Sequence, residues 1–238
     1  MGVKRISALF FFIALCYSAF GYTDLSLEVY LNVNDDATAH VTEKTTIFMN
    51  SQSELEAFDY NALVGTSIAD WSRFSKNARY HLNGPVLSPR ISGRRTGTNT
   101  GMIIIEYDVA GPIFSINQTG SRLKTYSLKE GVFGFDSSKA GETIIPKGTV
   151  LNVEIPLDAR PVSVSPPVSS SEGSVLSWSA THGPIVGLWK IVFEREKSLS
   201  SEVNAFFIEL YGKMISLVLP VIFLAIAALV AYKFARKK

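Results

Sequence analysis

Apolar residues fall on alternate positions at the start of the chain. Leu25, Leu27, Val29, Leu31 and Val33 share one side of an extended backbone, and Ser26, Glu28, Tyr30 and Asn32 share the other, the signature of a strand with one buried face. Asn34-Asp35-Asp36 supplies a turn, because short polar side chains bond their own backbone and tolerate left-handed conformations. The alternation resumes over Ala37 to Phe48 with Ala39, Val41 and Ile47 in step, so the pair predicts a hairpin.

The period then changes. Ser53-Glu54-Leu55-Glu56 fits a capping box ahead of Leu55, Phe58, Ala62 and Leu63, predicting a short helix laid on the sheet. Thr66 or Ser67 starts a further turn carrying Ile68, Trp71 and Phe74, with Trp71 expected in the core. Beyond a polar, Gly-rich connection from Arg94 to Gly101, strands are predicted at Met102 to Val109, Leu123 to Leu128, Thr149 to Ile155, Val175 to Ala180 and Leu188 to Glu194. No helical crossovers separate them. The expected fold is therefore mainly β (α+β), an antiparallel β-sandwich-like ectodomain with short helices. Pro161 to Gly173, with three prolines and five serines, reads as an extended loop or as a linker dividing the ectodomain.

Two apolar runs frame this region. Residues 1–21 have a cationic start (Lys4, Arg5), an apolar stretch and small residues before a cut. Ala19-Phe20-Gly21 places cleavage of an export signal before Tyr22. A retained anchor is the alternative, but the run is short for a roughly 30 Å hydrocarbon core. Leu199, Val203, Phe206, Phe207 and Leu210 recur at helical spacing, so residues 197–213 read as an amphipathic juxtamembrane helix. Residues 214–232 carry no charge, enough for about 28 Å of helix, and residues 233–238 form a basic tail expected in the cytoplasm. The topology predicted is single-pass type I, with the bilayer as one partner. Ala227 and Ala231 have the spacing that permits close packing of membrane helices.

That topology alters the charge balance. Two of the 23 cations lie in the signal and four in the tail, leaving 17 against 21 acids in residues 22–213. A mildly acidic ectodomain gives no support to nucleic-acid binding. The one cysteine, Cys16, leaves with the signal, so neither a disulfide nor a thiolate zinc site is expected. From 73 to 95 the sign reverses: Arg73, Lys76, Arg79, Arg90, Arg94 and Arg95 occur without an acid. They are either solvated charges or a contact for an anionic headgroup, glycan or protein. Asn117-Gln118-Thr119 is a sequon for N-glycosylation of an exported chain.

Catalytic motifs do not emerge. His40, His81 and His182 have no metal or nucleophile spacing around them and read as turn or surface residues. Asp35, Asp36 and Glu43 lack the alternating oxygens and central Gly of a calcium loop. No cofactor, metal site or catalytic residue is expected. The pattern favours a non-enzymatic, membrane-anchored extracytoplasmic binding or assembly module with a protein or glycan partner. The alternatives are an accessory subunit of a membrane or secretion complex acting through its span, and an exported hydrolase.

The stretch from Leu31 to Glu43 resembles the opening hairpin of uncharacterised archaeal-type single-pass membrane proteins with a β-rich surface ectodomain, and the ending from Trp178 through the basic tail is similar in layout. The resemblance implies a surface location and no activity. Those proteins often have Gly after the turn Asp, where this chain has Ala37.

Overall fold

A computed structural model describes residues 21–119, 122–196, 203 and 207–211. The expected signal before Gly21 and the span at 214–232, with Ala227 and Ala231, lie outside the described residues. Among the described residues no helix is long and apolar enough to cross a membrane. Two compact units divide the chain. The first holds described residues 21–119 and 124–195; the second holds the remaining ones, including Val203 and 207–211, which are helical and exposed.

The first unit is β-rich, with mixed sheets and two short helices. Its strands are β1 (Thr23–Val33), β2 (Ala39–Phe48), β3 (Val86–Arg95), β4 (Thr100–Val109), β5 (Phe114–Gln118), β6 (Leu123–Leu128), β7 (Asp136–Ser137), β8 (Thr143–Ile145), β9 (Thr149–Glu154), β10 (Arg160–Ser165), β11 (Ser170–Glu172), β12 (Val175–Ser179), β13 (Ile185–Gly187) and β14 (Lys190–Glu196). Seven of them form one sheet in the order β11-β12-β9-β1-β2-β4-β3; the others form sheets β10-β14-β6-β5 and β13-β8-β7.

The large sheet is not purely antiparallel. β1 pairs antiparallel with β2 but parallel with β9, Leu27 opposite Thr149 and Leu31 opposite Val153. A parallel neighbour needs no helical crossover here, because residues 34–148 intervene between the two strands. Leu25 is 49% exposed rather than buried, since a bulge between Asp24 and Ser26 shifts the phase before Leu27.

The cap of helix α1 (Gln52–Val64) lies two residues before the expected Ser53: Ser51 caps it and accepts from Glu54 N. Glu54, Leu55, Phe58 and Asn61 form its buried side, and Leu63 is 85% exposed. Helix α2 (Ile68–Ser72) has the expected start, a reciprocal capping box between Ser67 and Asp70. Both helices lie on glycines. An added Cβ on Gly101 of β4 would fall 2.6 Å from Phe58 Cζ, and one on Gly93 of β3 only 2.0 Å from Trp71 Cη2. Phe58, Trp71 and Phe74 pack edge-on or tilted within 5.7 Å. Elsewhere the same core continues through Trp178 against Trp189, Phe133 against Trp189 and Phe114 against Phe193.

Ala37 has φ +67 and is fully buried, so it holds the left-handed conformation that glycine adopts freely. Asp36 accepts from Thr38 N and Oγ1 at 3.0 and 2.6 Å, bonds that lower its pKa, and Ile113 N donates to Ala37 O. Ala37→Gly relieves a left-handed penalty of about 1–2 kcal/mol but loses a buried methyl worth about 0.8 kcal/mol and makes the unfolded chain more flexible. Urea unfolding should therefore place the variant within about 1 kcal/mol of the parent. A loss well beyond that would mean the turn depends on the methyl more than on its backbone.

Candidate functional site

The six cations between 73 and 95 do not form one patch. Arg73 follows α2, donates from Nη2 to Asn61 Oδ1 at 2.7 Å and lies over the Phe74 ring. Arg79 reaches Asp136 at 3.4 Å. Arg95 grips Asp59 of α1 through two 2.8 Å bonds and donates to Thr98 O. Its hydrogen bonds hold the Asp59 carboxyl below its usual range and raise the pKa of the guanidinium. Lys76 is exposed beyond α2.

Arg90 and Arg94 remain. Four residues apart on β3, they share the face opposite Ile91, Gly93 and Arg95, which turn towards the helices. Both are exposed, and among the described residues neither has an ion-pair partner. They stand opposite Glu106 and Met102 of β4. β3 ends the seven-stranded sheet, so its outer backbone groups are open. The first half of that edge is interrupted: the register shifts between Leu87 and Arg90, Ser88 has φ +49, and Pro89 has no N–H to offer. The accessible length is Arg90–Arg95.

Asn117 is exposed on β5, an edge strand of the four-stranded sheet, opposite Thr125. The sequon's Thr119 hydroxyl bonds that of Thr125.

The structure brings together three residues that the sequence pattern left apart. Glu43 lies in phase with Val41 and Ile47 and therefore faces the core, where it is 1% exposed. Its Oε1 accepts from His81 N at 2.8 Å and Tyr107 OH at 2.6 Å, and its Oε2 lies 2.7 Å from His81 Nδ1. His81 is thus a buried residue, not one of a turn surface, because Glu43 satisfies both its ring and its backbone. Burial, reinforced by the neighbouring Glu43, pushes the Tyr107 phenol well above its ordinary pKa. The phase of Glu43 was the available signal; no local pattern in the sequence announces His81. The other histidines differ: His40 Nδ1 lies 2.8 Å from Asp108 on the open side of the sheet, and His182 is exposed.

The calcium candidates are dispersed. Asp35 pairs with Arg195 at 2.9 Å, Asp36 serves its own turn, and Glu43 points inward. Arg195 also holds Asp158 through bonds of 2.8 and 3.1 Å, clamping the hairpin turn to the loop after β9. Among the described residues no group of three or more His, Cys, Asp or Glu could hold a metal.

A groove of about 620 Å³ lies elsewhere, lined by Leu128, Val132, Phe133, Leu188, Trp189 and Val192 with Lys129, Glu130 and Lys190 among its polar residues. Trp189 lines this groove, and its Nε1 is buried without a hydrogen-bond partner among the described residues.

No protein-family model matches the chain, and no curated protein matches it. Among solved structures it is similar to the folded domain of LppM from Mycobacterium tuberculosis, determined by NMR. The match has 13% identity and a TM-score of 0.32, and covers 75% of this chain and 93% of that one.

Proposed function

We propose that residues 22–196 are the extracytoplasmic part of a single-pass membrane protein and act as a non-enzymatic binding or assembly module. The working surface is the Arg90–Arg95 edge of β3, and the partner is a protein that contributes an extended acidic segment as an eighth strand. The observation that carries this is one strand edge combining open backbone groups with two exposed guanidiniums that have no ion-pair partner among the described residues. Backbone groups at strand spacing match another polypeptide better than a glycan or a lipid headgroup, while the arginines select its charge. Glycosylation at Asn117 is compatible with this reading, because β5 lies in a different sheet from β3.

The test is binding of a glutamate-rich extended peptide to the full protein in mild detergent, as a function of salt. Arg90→Gln with Arg94→Gln should weaken binding roughly three- to tenfold and flatten its salt dependence, as expected for two exposed ion pairs. Unfolding should shift by less than about 0.5 kcal/mol. Arg95→Gln, which breaks the Asp59 contact, serves as a control for structural damage. Binding indifferent to salt and to the double change would remove the proposal, and selective capture of an acidic polysaccharide or anionic vesicles would replace the partner class.

A further inference from the structure

The entry to the first unit contains a buried carboxylate supported only by amide donors. Glu54 is 2% exposed, and its Oε1 accepts from Gly21 N at 3.2 Å while its Oε2 accepts from Asn50 N at 2.6 Å. Among the described residues it has no ion-pair partner. Asn50 Nδ2 in turn donates to Gly21 O at 2.7 Å, and the Tyr22 ring is held edge-on against Phe74 at 4.7 Å. Beside them, Asp24 Oδ1 is buried and accepts no hydrogen bond among the described residues. A cation beside a buried carboxyl offsets desolvation that amide donors repay only in part. Of the two cations lining the cleft, Arg73 is engaged with Asn61 and Phe74, and Lys76 is exposed beyond α2 without an ion pair to Glu54.

We infer that cleavage of the export signal creates that cation, and that the new α-ammonium of Tyr22 docks on Glu54. The inference rests on the reading of residues 1–21 as a removable signal. A membrane signal peptidase would add water across the Gly21–Tyr22 peptide bond. The C–N bond breaks, the Gly21 carboxylate departs with the signal, and Tyr22 N takes up protons to become an ammonium at neutral pH. Successive backbone nitrogens lie within about 3.7 Å, so the ammonium forms one residue away from an atom already bonded to Glu54. Its three donors replace the single Gly21 N–H, and the packed Tyr22 ring limits its wandering. The charged or titratable groups facing it are Glu54 from α1, Asp24 from β1, and Arg73 and Lys76 beyond α2, all of which line or border the same cleft. Maturation thereby changes the fold's electrostatics at its first strand as well as trimming the chain.

The pairing raises the pKa of the α-amine above its ordinary range of about 7.7–8.0. The resulting stability is fully present below that range and is lost as pH rises through the higher folded value. The experiment uses the full protein, exported and purified in detergent, with intact-mass analysis of its N-terminus and the rate of α-amine acylation followed against pH. Wild-type protein beginning at Tyr22 should react at least tenfold more slowly near neutral pH than the Glu54→Gln variant. Its reactivity midpoint should also lie above that of the same chain unfolded in urea. The second comparison needs only wild-type protein and decides the matter if Glu54→Gln does not fold. A chain that begins at Tyr22 with an ordinary midpoint overturns the pairing and leaves the export reading intact. A chain that retains Lys4 and Arg5 overturns both.

Discussion

Replacing Glu43 by alanine is expected to destabilise the first unit by about 3–5 kcal/mol, since each buried polar group left unsatisfied costs about 1–3 kcal/mol. The substitution strands the His81 ring, the His81 N–H and the Tyr107 hydroxyl, all of which now converge on one carboxylate. Tyr107→Phe should be milder, about 1–2 kcal/mol, because Glu43 keeps both His81 contacts. The milder variant also has a pH signature. Because the folded phenol is held above its unfolded pKa, Tyr107 contributes stability below about pH 10 that is lost as the pH rises beyond it. The alkaline loss should therefore be smaller in Tyr107→Phe. Guanidinium unfolding of the three proteins at neutral and alkaline pH measures this. A Glu43→Ala loss under about 1 kcal/mol would mean that water fills the site and the cluster is incidental.

The second large effect is expected where glycine receives an aromatic ring. Gly93→Ala and Gly101→Ala should each cost about 1–3 kcal/mol, since Trp71 and Phe58 are fully buried and cannot retreat. Alanine in a strand interior would otherwise be favoured over glycine by roughly 0.5–1 kcal/mol, so even the sign identifies close packing. Gly183, where an added Cβ meets nothing within 4 Å, is the control. Equal melting curves for Gly93→Ala and Gly183→Ala would show that the Trp71 ring is not seated as described.

Those glycines also explain which strands could be read from the sequence. β1, β2, β4 and β9 bury their own apolar side chains, so alternation exposes them directly. β3 does not: at Gly93 the buried volume belongs to Trp71, and Ser88-Pro89 breaks the phase between Leu87 and Ile91. The sequence therefore shows this strand only as a run of cations. β10 and β11 hid in the Pro- and Ser-rich stretch for another reason. Both are edge strands, where the missing N–H of Pro161 and exposed serines are tolerated.

The same physical distinction governs the sites. The six cations are visible as a run, yet their separation onto two faces of β3 and the connection between α2 and β3 depends on register, which a charge count does not contain. Glu43 shares the phase of Val41 and Ile47, a signal present in the sequence that the alternation of apolar residues alone does not single out. Its partners come from 38 and 64 residues away. The Trp189 groove likewise draws on residues 127–143 and 188–192, and its chemistry exists only after the small sheets assemble.

The parallel pairing of β1 with β9 has a consequence for the order of events during synthesis. β1 and β2 are neighbours in the chain and can close as a hairpin within microseconds of emerging, but the other side of β1 must wait for Thr149–Glu154. At roughly 5–20 residues per second, that leaves the most central strand with an open side for about 5–20 s. During that interval Leu27, Val29 and Leu31 belong to a sheet that has not yet received its other half. Slowing elongation between residues 49 and 149 should therefore increase the nascent chain's retention by holdase chaperones, whereas slowing it after residue 180 should not.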